Sequence, residues 1–132
     1  KYKSGVDYYE NGNSMEGVKD SCHFYAVLYE TDETVSTLDG TNVLTHPNLI
    51  SAAIIENQTE TDEWIRFDLP FVYRPGKSID PEKLKNGKYN LAVVFTSSKE
   101  GGRFKGAPGS ALYIDEVEIT LESEADYNPI TY

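Results

Sequence analysis

The chain has 132 residues, 22 acidic and 12 basic, for a formal charge of −10 at pH 7. At 39% hydrophobic and 26% charged content it reads as one folded domain over residues 1–132, long enough to bury a core. Such a field repels phosphate backbones and anionic bilayers, which excludes nucleic acid as a partner and membrane contact by the domain itself.

Helical periodicity persists nowhere beyond two turns, and the apolar runs are short, β-branched or aromatic, and bounded by Gly, Asn, Asp and Pro. The chain starts abruptly at "KYKSG", which leaves room for an upstream targeting segment or domain. The first firm strand is "SCHFYAVLYE", residues 21–30. Its alternation puts Cys22, Phe24, Ala26 and Leu28 on one face and His23, Tyr25, Val27 and Tyr29 on the other. Two semi-apolar faces predict a strand inside a sheet, one side packed and the other partly wet. Cys22, the single cysteine, reads as a buried strand residue and excludes an intrachain disulfide or a Cys-based zinc site.

"TVSTLDGTNVL" predicts a hairpin turning at Asp39-Gly40. Residues 49–56, "LISAAIIE", read as a buried strand, with a short helix as the alternative. Residues 63–73, "EWIRFDLPFVY", alternate cleanly, with Ile65, Phe67 and Leu69 inward and Trp64, Arg66 and Asp68 sharing the opposite face. Pro70 removes a ladder donor and places that end at an edge or bulge. "DPEKLKNGKY" supplies one helical turn and an Asn86-Gly87 turn. Residues 89–98 are the most strand-like run, with Leu91, Val93 and Phe95 on one face. In the last strand, 111–121, Leu112 and Ile114 keep one phase and Val117, Ile119 and Leu121 the other. That switch predicts a β-bulge at Asp115-Glu116. The polar tail, 122–132, is expected to fray or pack loosely. Five or six strands with little helix predict an all-β fold, an antiparallel β-sandwich.

For chemistry, the loop "GGRFKGAPGS" lacks the Gly-Lys-Ser/Thr ending of a phosphate loop and leads into a strand, so its glycines serve tight turns. Arg103 and Lys105 stand at its rim, where they can hydrogen-bond a ligand. Asp115 and Glu116 are adjacent on a strand and point to opposite faces, so they do not flank one bond. Asp115 reads as an anchor for the preceding loop. His23 and His46 lack metal-ligand spacing, and Ser97-Ser98 lacks the glycines of a nucleophile elbow. The acidic stretches at 30–34 and 59–63 offer oxygens for a structural calcium but no EF-hand spacing. No other cofactor is called for.

The grouping with most chemical content is aromatic plus polar residues on one strand face. A sugar ring offers a C–H face that stacks on an aromatic ring and hydroxyls that suit planar charged groups. Trp64, Arg66 and Asp68 supply both, and Tyr25 with Tyr29 forms a second pair. Against this stands a Trp64 that simply covers a sheet edge or packs under a loop.

Taken in order, "DSCHFYAVLYE", "TLDGTNVLTHPNLISAAI", "TDEWIRFDLPF", "GKSIDPEKLKNGKYNLAVVFTSSKEG" and "FKGAPGSALYIDEVEI" resemble the putative carbohydrate metabolism domain (PCMD) of Bacteroidetes cell-surface lipoproteins, across roughly residues 20–122. The most specific residues are Ser97, Ser98, Gly101, Phe104, Gly106, Ala107, Gly109, Ser110, Asp115, Glu116 and Val117. The resemblance implies a jelly-roll sandwich similar to galactose-binding-like modules, in the C-terminal part of a longer protein with other domains upstream. It also implies a cell-surface or periplasmic place, as an outer-membrane lipoprotein that handles glycans, and it carries over no catalytic residue. The expected function is a non-catalytic carbohydrate-binding module for a polysaccharide or oligosaccharide. Trp64 and Arg66 would form its centre, with Tyr25, Asp68, Arg103 and Tyr113 around them. The alternatives are a glycoside hydrolase using Asp68 or Asp115, or a structural or protein-interaction domain of a surface complex.

Overall fold

A computed structural model describes residues 1–55 and 58–120; Leu121 and the tail expected to fray lie outside the described residues. The described chain is nearly all β, with every ladder antiparallel. In chain order the strands are β1 (Tyr2–Lys3), β2 (Tyr8–Glu10), β3 (Asn13–Met15), β4 (His23–Glu30), β5 (Leu49–Ile54), β6 (Val72–Tyr73), β7 (Tyr89–Thr96), β8 (Lys105–Gly106) and β9 (Ala111–Leu112). One short helix, α1 (Pro81–Lys85), precedes β7. Asp80 caps it by accepting from the Glu82 amide at 2.8 Å, and Pro81 stands where no amide donor is needed.

The main sheet runs β6-β5-β4-β7. β4 pairs with β7 along its whole length, from His23↔Thr96 to Glu30↔Tyr89, and on its other side with β5. Both faces of β4 are packed, not one. Tyr25, Val27 and Tyr29 meet Val43, Leu49 and Ala52, while Cys22 and Phe24 meet Tyr2 and Ile55 on the reverse. The expected wet side is covered because the 38–44 loop folds Leu38, Val43 and Leu44 over it. Hydrophobic burial therefore flanks a single strand on two sides, which explains its near-continuous apolar sequence.

The predicted Asp39-Gly40 hairpin is absent. Neither residue has the positive φ that a two-residue hairpin turn requires. Instead the Asp39 carboxylate accepts from the Thr41 amide at 2.8 Å and its carbonyl accepts from Val43 at 3.0 Å, a helical-type turn that buries Val43. The real hairpin sits where no strand was expected, at Asn11-Gly12. Those residues take φ of 50° and 84° and join β2 to β3. Of the strand expected at 63–73, only β6 joins a ladder, on the sheet edge directly after Pro70. Of that expected at 111–121, only β9 does. Glu116 takes φ of 53°, at the position where the apolar phase switches.

β1 lies over the Phe24 face. It pairs with β9 through Tyr2↔Leu112 and Lys3↔Ala111, and on its other edge Tyr2 bridges to Thr61. The third ladder, β3-β2-β8, carries the glycine-rich loop.

Candidate functional site

Two surface features carry the residues singled out in the sequence. The first is the glycine-rich loop, whose organising group is Asp20. This carboxylate is buried, and one of its oxygens accepts from the Ser98 hydroxyl, the Ala107 amide at 2.9 Å and the Ser110 hydroxyl at 2.7 Å. Its other oxygen accepts from the Ser21 amide at 2.8 Å. Four donors satisfy the buried charge and pin the loop at three points 78 to 90 residues away in sequence. Nothing in the stretch "KDS" marked Asp20 in advance; its signal was the spaced Ser98, Ala107 and Ser110, which converge on it.

Glycine is needed here for space. A Cβ at Gly106 would sit 3.0 Å from the Ser98 oxygen and 3.3 Å from the Asp20 carboxylate. The loop encloses an open depression of about 440 Å³, lined by groups that include Tyr9, Ser97, Ser98, Phe104 and Lys105. Phe104 is 80% exposed and held at φ of 58°, a conformation that costs a bulky side chain energy. Arg103 is exposed in the Gly101–Arg103 turn just before it.

The second feature is aromatic. Trp64 is 57% exposed and Tyr113 is 54% exposed. The Lys1 ammonium lies 5.3 Å from the indole centroid and 5.8 Å from the phenol centroid, so both rings gather around one cation. β1 positions all three groups. Thr61, close before Trp64, donates its amide to Tyr2 at 2.9 Å, and Tyr113 donates its own to Lys1 at 2.8 Å. Arg66 and Asp68 continue outward along the Trp64 segment, both exposed. Two half-exposed rings gathered around one cation offer stacking and hydrogen bonding together.

The structure therefore brings Trp64 together with Tyr113, adds Lys1, and keeps Arg66 and Asp68 on the same exposed segment. Tyr25 does not join them. It is 4% exposed, its ring packed in the core beside Val27 and Tyr29, because the loop above covers that face of β4. Arg103 belongs to the glycine-rich loop. The depression beside the glycine-rich loop is lined by neither Trp64 nor Arg66, and the Trp64 and Tyr113 rings stand half-exposed as a separate platform. Asp115 is exposed, and the loop anchor expected of it is Asp20. Among the described residues no three His, Cys, Asp or Glu side chains converge as a metal site. Cys22 is buried, and desolvation pushes its thiol up to about 11.

No curated protein is similar enough to this chain to count as a match. Several solved structures are, two of them from Bacteroides species. A protein of Bacteroides thetaiotaomicron VPI-5482, described as a putative glycoside hydrolase, is 56% identical and superposes over 94% of this chain with a TM-score of 0.90. A second, from Bacteroides vulgatus ATCC 8482 and described in the same words, is 48% identical over 83% of this chain with a TM-score of 0.76. This chain spans 36% of the first protein's length and 44% of the second's. The family described as "Putative carbohydrate metabolism domain" matches residues 1–120, and the chain belongs to that family.

Proposed function

We propose that the chain is a non-catalytic carbohydrate-binding module, taking an oligosaccharide or polysaccharide on the Trp64–Tyr113 platform. The observation that carries this reading is the pair of half-exposed aromatic rings around Lys1, with Arg66 and Asp68 exposed on the segment that carries Trp64. A sugar's C–H face stacks on the indole. Its hydroxyls take hydrogen bonds from the Lys1 ammonium and the Arg66 guanidinium and donate to the Asp68 carboxylate. The family's description supports carbohydrate handling at the coarser level. By the same reading the module works at the cell surface or in the periplasm as part of a glycan-utilising protein.

A binding module is preferred to an enzyme because the buried carboxylate is fully occupied. Asp20 accepts four hydrogen bonds from groups that hold the loop, so its two oxygens are committed to structure. The second reading, a glycoside hydrolase using Asp68 or Asp115, rests on the descriptions of the two relatives.

Trp64 is the only tryptophan, so its fluorescence reports this site alone. Titration with neutral oligosaccharides is expected to shift that emission, and calorimetry is expected to show Trp64→Ala or Tyr113→Ala losing about 1–3 kcal/mol of binding, at least several-fold in affinity. Undiminished affinity in Trp64→Ala would move the site elsewhere. Release of new reducing ends that Asp68→Asn or Asp115→Asn abolishes would establish the hydrolase.

A further inference from the structure

We propose that the depression beside the glycine-rich loop is a second saccharide site, which takes one or two rings of a neutral glycan against Phe104. It shares a ligand class with the Trp64–Tyr113 platform but none of its residues. The inference starts from a cost at one position. Phe104 closes the Gly101–Arg103 turn in the left-handed region, at φ of 58° and ψ of 37°, where glycine or asparagine is the usual occupant. A bulky side chain in that conformation costs energy, which burial of its ring can offset. Phe104 offsets little of it, because it is 80% exposed. The fold gains little from a phenyl ring here, and the same loop uses glycine freely. An aromatic ring held out to solvent at a backbone cost marks a surface that meets a ligand.

A rigid frame aims the ring. The Phe104 amide donates to the Gly101 carbonyl at 3.0 Å, and its carbonyl accepts from the Asn11 amide at 2.9 Å. The loop and the β2–β3 hairpin thus hold it between them. Asp20 fixes the rest of the loop through Ser98, Ala107 and Ser110. The depression lined by hairpin and loop has a volume of about 440 Å³, within the ~300–1,000 Å³ of small-molecule sites. Walls that are hydrogen-bonded in place before a ligand arrives lose little entropy on binding it.

The lining selects the ligand. Phe104 and the 37% exposed Tyr9 supply apolar ring faces. Ser98 gives its hydroxyl proton to Asp20 and keeps lone pairs that accept. The Lys105 ammonium lies 3.9 Å from both Glu10 and Glu100, the three side chains being between 33% and 42% exposed. Such long, wet pairs are loose, so a donor and two acceptors for hydroxyl groups stand side by side. A sugar ring offers a C–H face to the aromatic rings and hydroxyls that both donate and accept. An anionic ligand meets two carboxylates around one ammonium, on a chain of charge −10. A purely apolar ligand covers Lys105 and Ser98 without pairing them.

The test follows two probes in one titration of the 132-residue chain. The ligands are cellohexaose, xylohexaose, mannohexaose and laminarihexaose, with an oligogalacturonate as the anionic control. Trp64 emission reports the platform, and amide chemical shifts between residues 101 and 110 report the depression. At least one neutral hexaose is expected to shift the loop amides saturably, and Phe104→Ala to weaken that response at least about fivefold. Phe104→Gly removes the ring and the strain together. It is expected to lose the same affinity while its urea midpoint stays at or above the parent's. A lower midpoint in Phe104→Gly makes the ring structural and overturns the proposal. A loop silent to every neutral hexaose also overturns it: if Trp64 responds, the platform survives alone, and if Trp64 is silent too, both sites fall. Loop shifts without a Trp64 response support the depression and remove the platform instead. A loop that answers only the galacturonate overturns the neutral assignment. Nuclear Overhauser contacts between residues 121–132 and the Phe104 ring in the free chain overturn the proposal as well, because the protein then fills the depression itself.

Discussion

At the scale of single residues, the glycine-rich loop is held by fits with little tolerance. A Cβ on Gly5 would lie 2.1 Å from the Pro108 carbonyl oxygen and 2.8 Å from that of Ala107. These are backbone atoms that cannot swing aside, so Gly5→Ala must displace the loop. It is expected to cost about 2–4 kcal/mol, the range of a forced backbone shift in a packed region. Asp20→Ala acts on the same loop from the other side. It strands the Ser98 hydroxyl and the Ala107 and Ser21 amides, leaves the Ser110 hydroxyl only the Ala107 carbonyl, and is expected to cost a similar ~2–4 kcal/mol, since the losses at clustered donors do not simply add. Urea denaturation of both variants checks this. Because the two changes damage one loop, the double variant should lose less than the two single losses combined.

At the scale of elements, legibility follows the hydrogen-bond partners. β4, β5, β7 and the α1 turn were readable because an apolar or capping pattern coincides there with a ladder or cap that the structure forms. The segments at 62–69 and 113–119 have the pattern but, among the described residues, no ladder. Alternation reports which side chains want burial, not whether a neighbouring backbone is there to pair with them. Asp39-Gly40 read as the strongest hairpin signal because apolar segments flank it, whereas the flanks of Asn11-Gly12, "YYE" and "NSM", are too polar to read as strands alone. Alternation expected Trp64, Arg66 and Asp68 outward and Ile65 and Phe67 inward, yet all five are exposed, Ile65 at 48% and Phe67 at 40%. The burial of Tyr25 depends on a loop fifteen residues away, and the meeting of Trp64 with Tyr113 depends on β1. At the end of β4, His23 gives a pH signature. Burial, and secondarily Lys99, lowers its pKa below the ordinary 6.5. The unfolded chain then binds the proton more readily, so the His23 contribution to stability is complete above about pH 6.5 and is lost as pH falls through the lowered folded value. Denaturation midpoints measured from pH 7.5 downward should therefore fall less steeply in His23→Gln than in the parent chain.

At the scale of the whole molecule, charge decides what conditions favour the fold and which glycans suit the platform. The formal charge of −10 at pH 7 repels itself in the compact state. The ion pairs described, Lys19–Glu60, Lys83–Glu30 and Lys105 with Glu10 and Glu100, are all partly exposed and at 2.7–3.9 Å, so each contributes little. Screening thus relieves more repulsion than it removes attraction. Raising ionic strength from about 0.01 M to about 0.15 M shortens the Debye length from roughly 30 Å to roughly 8 Å and is expected to raise Tm by a few degrees. A fall in Tm would mean that the exposed pairs outweigh the net repulsion. The same salt series separates classes of ligand. A neutral saccharide held by stacking and hydrogen bonds keeps its affinity across the series. A glycan bearing carboxylates or sulfates is repelled by the acidic surface at low salt and attracted locally by Lys1 and Arg66. Its affinity should therefore rise with salt if the molecule's long-range field dominates and fall if the two cations do.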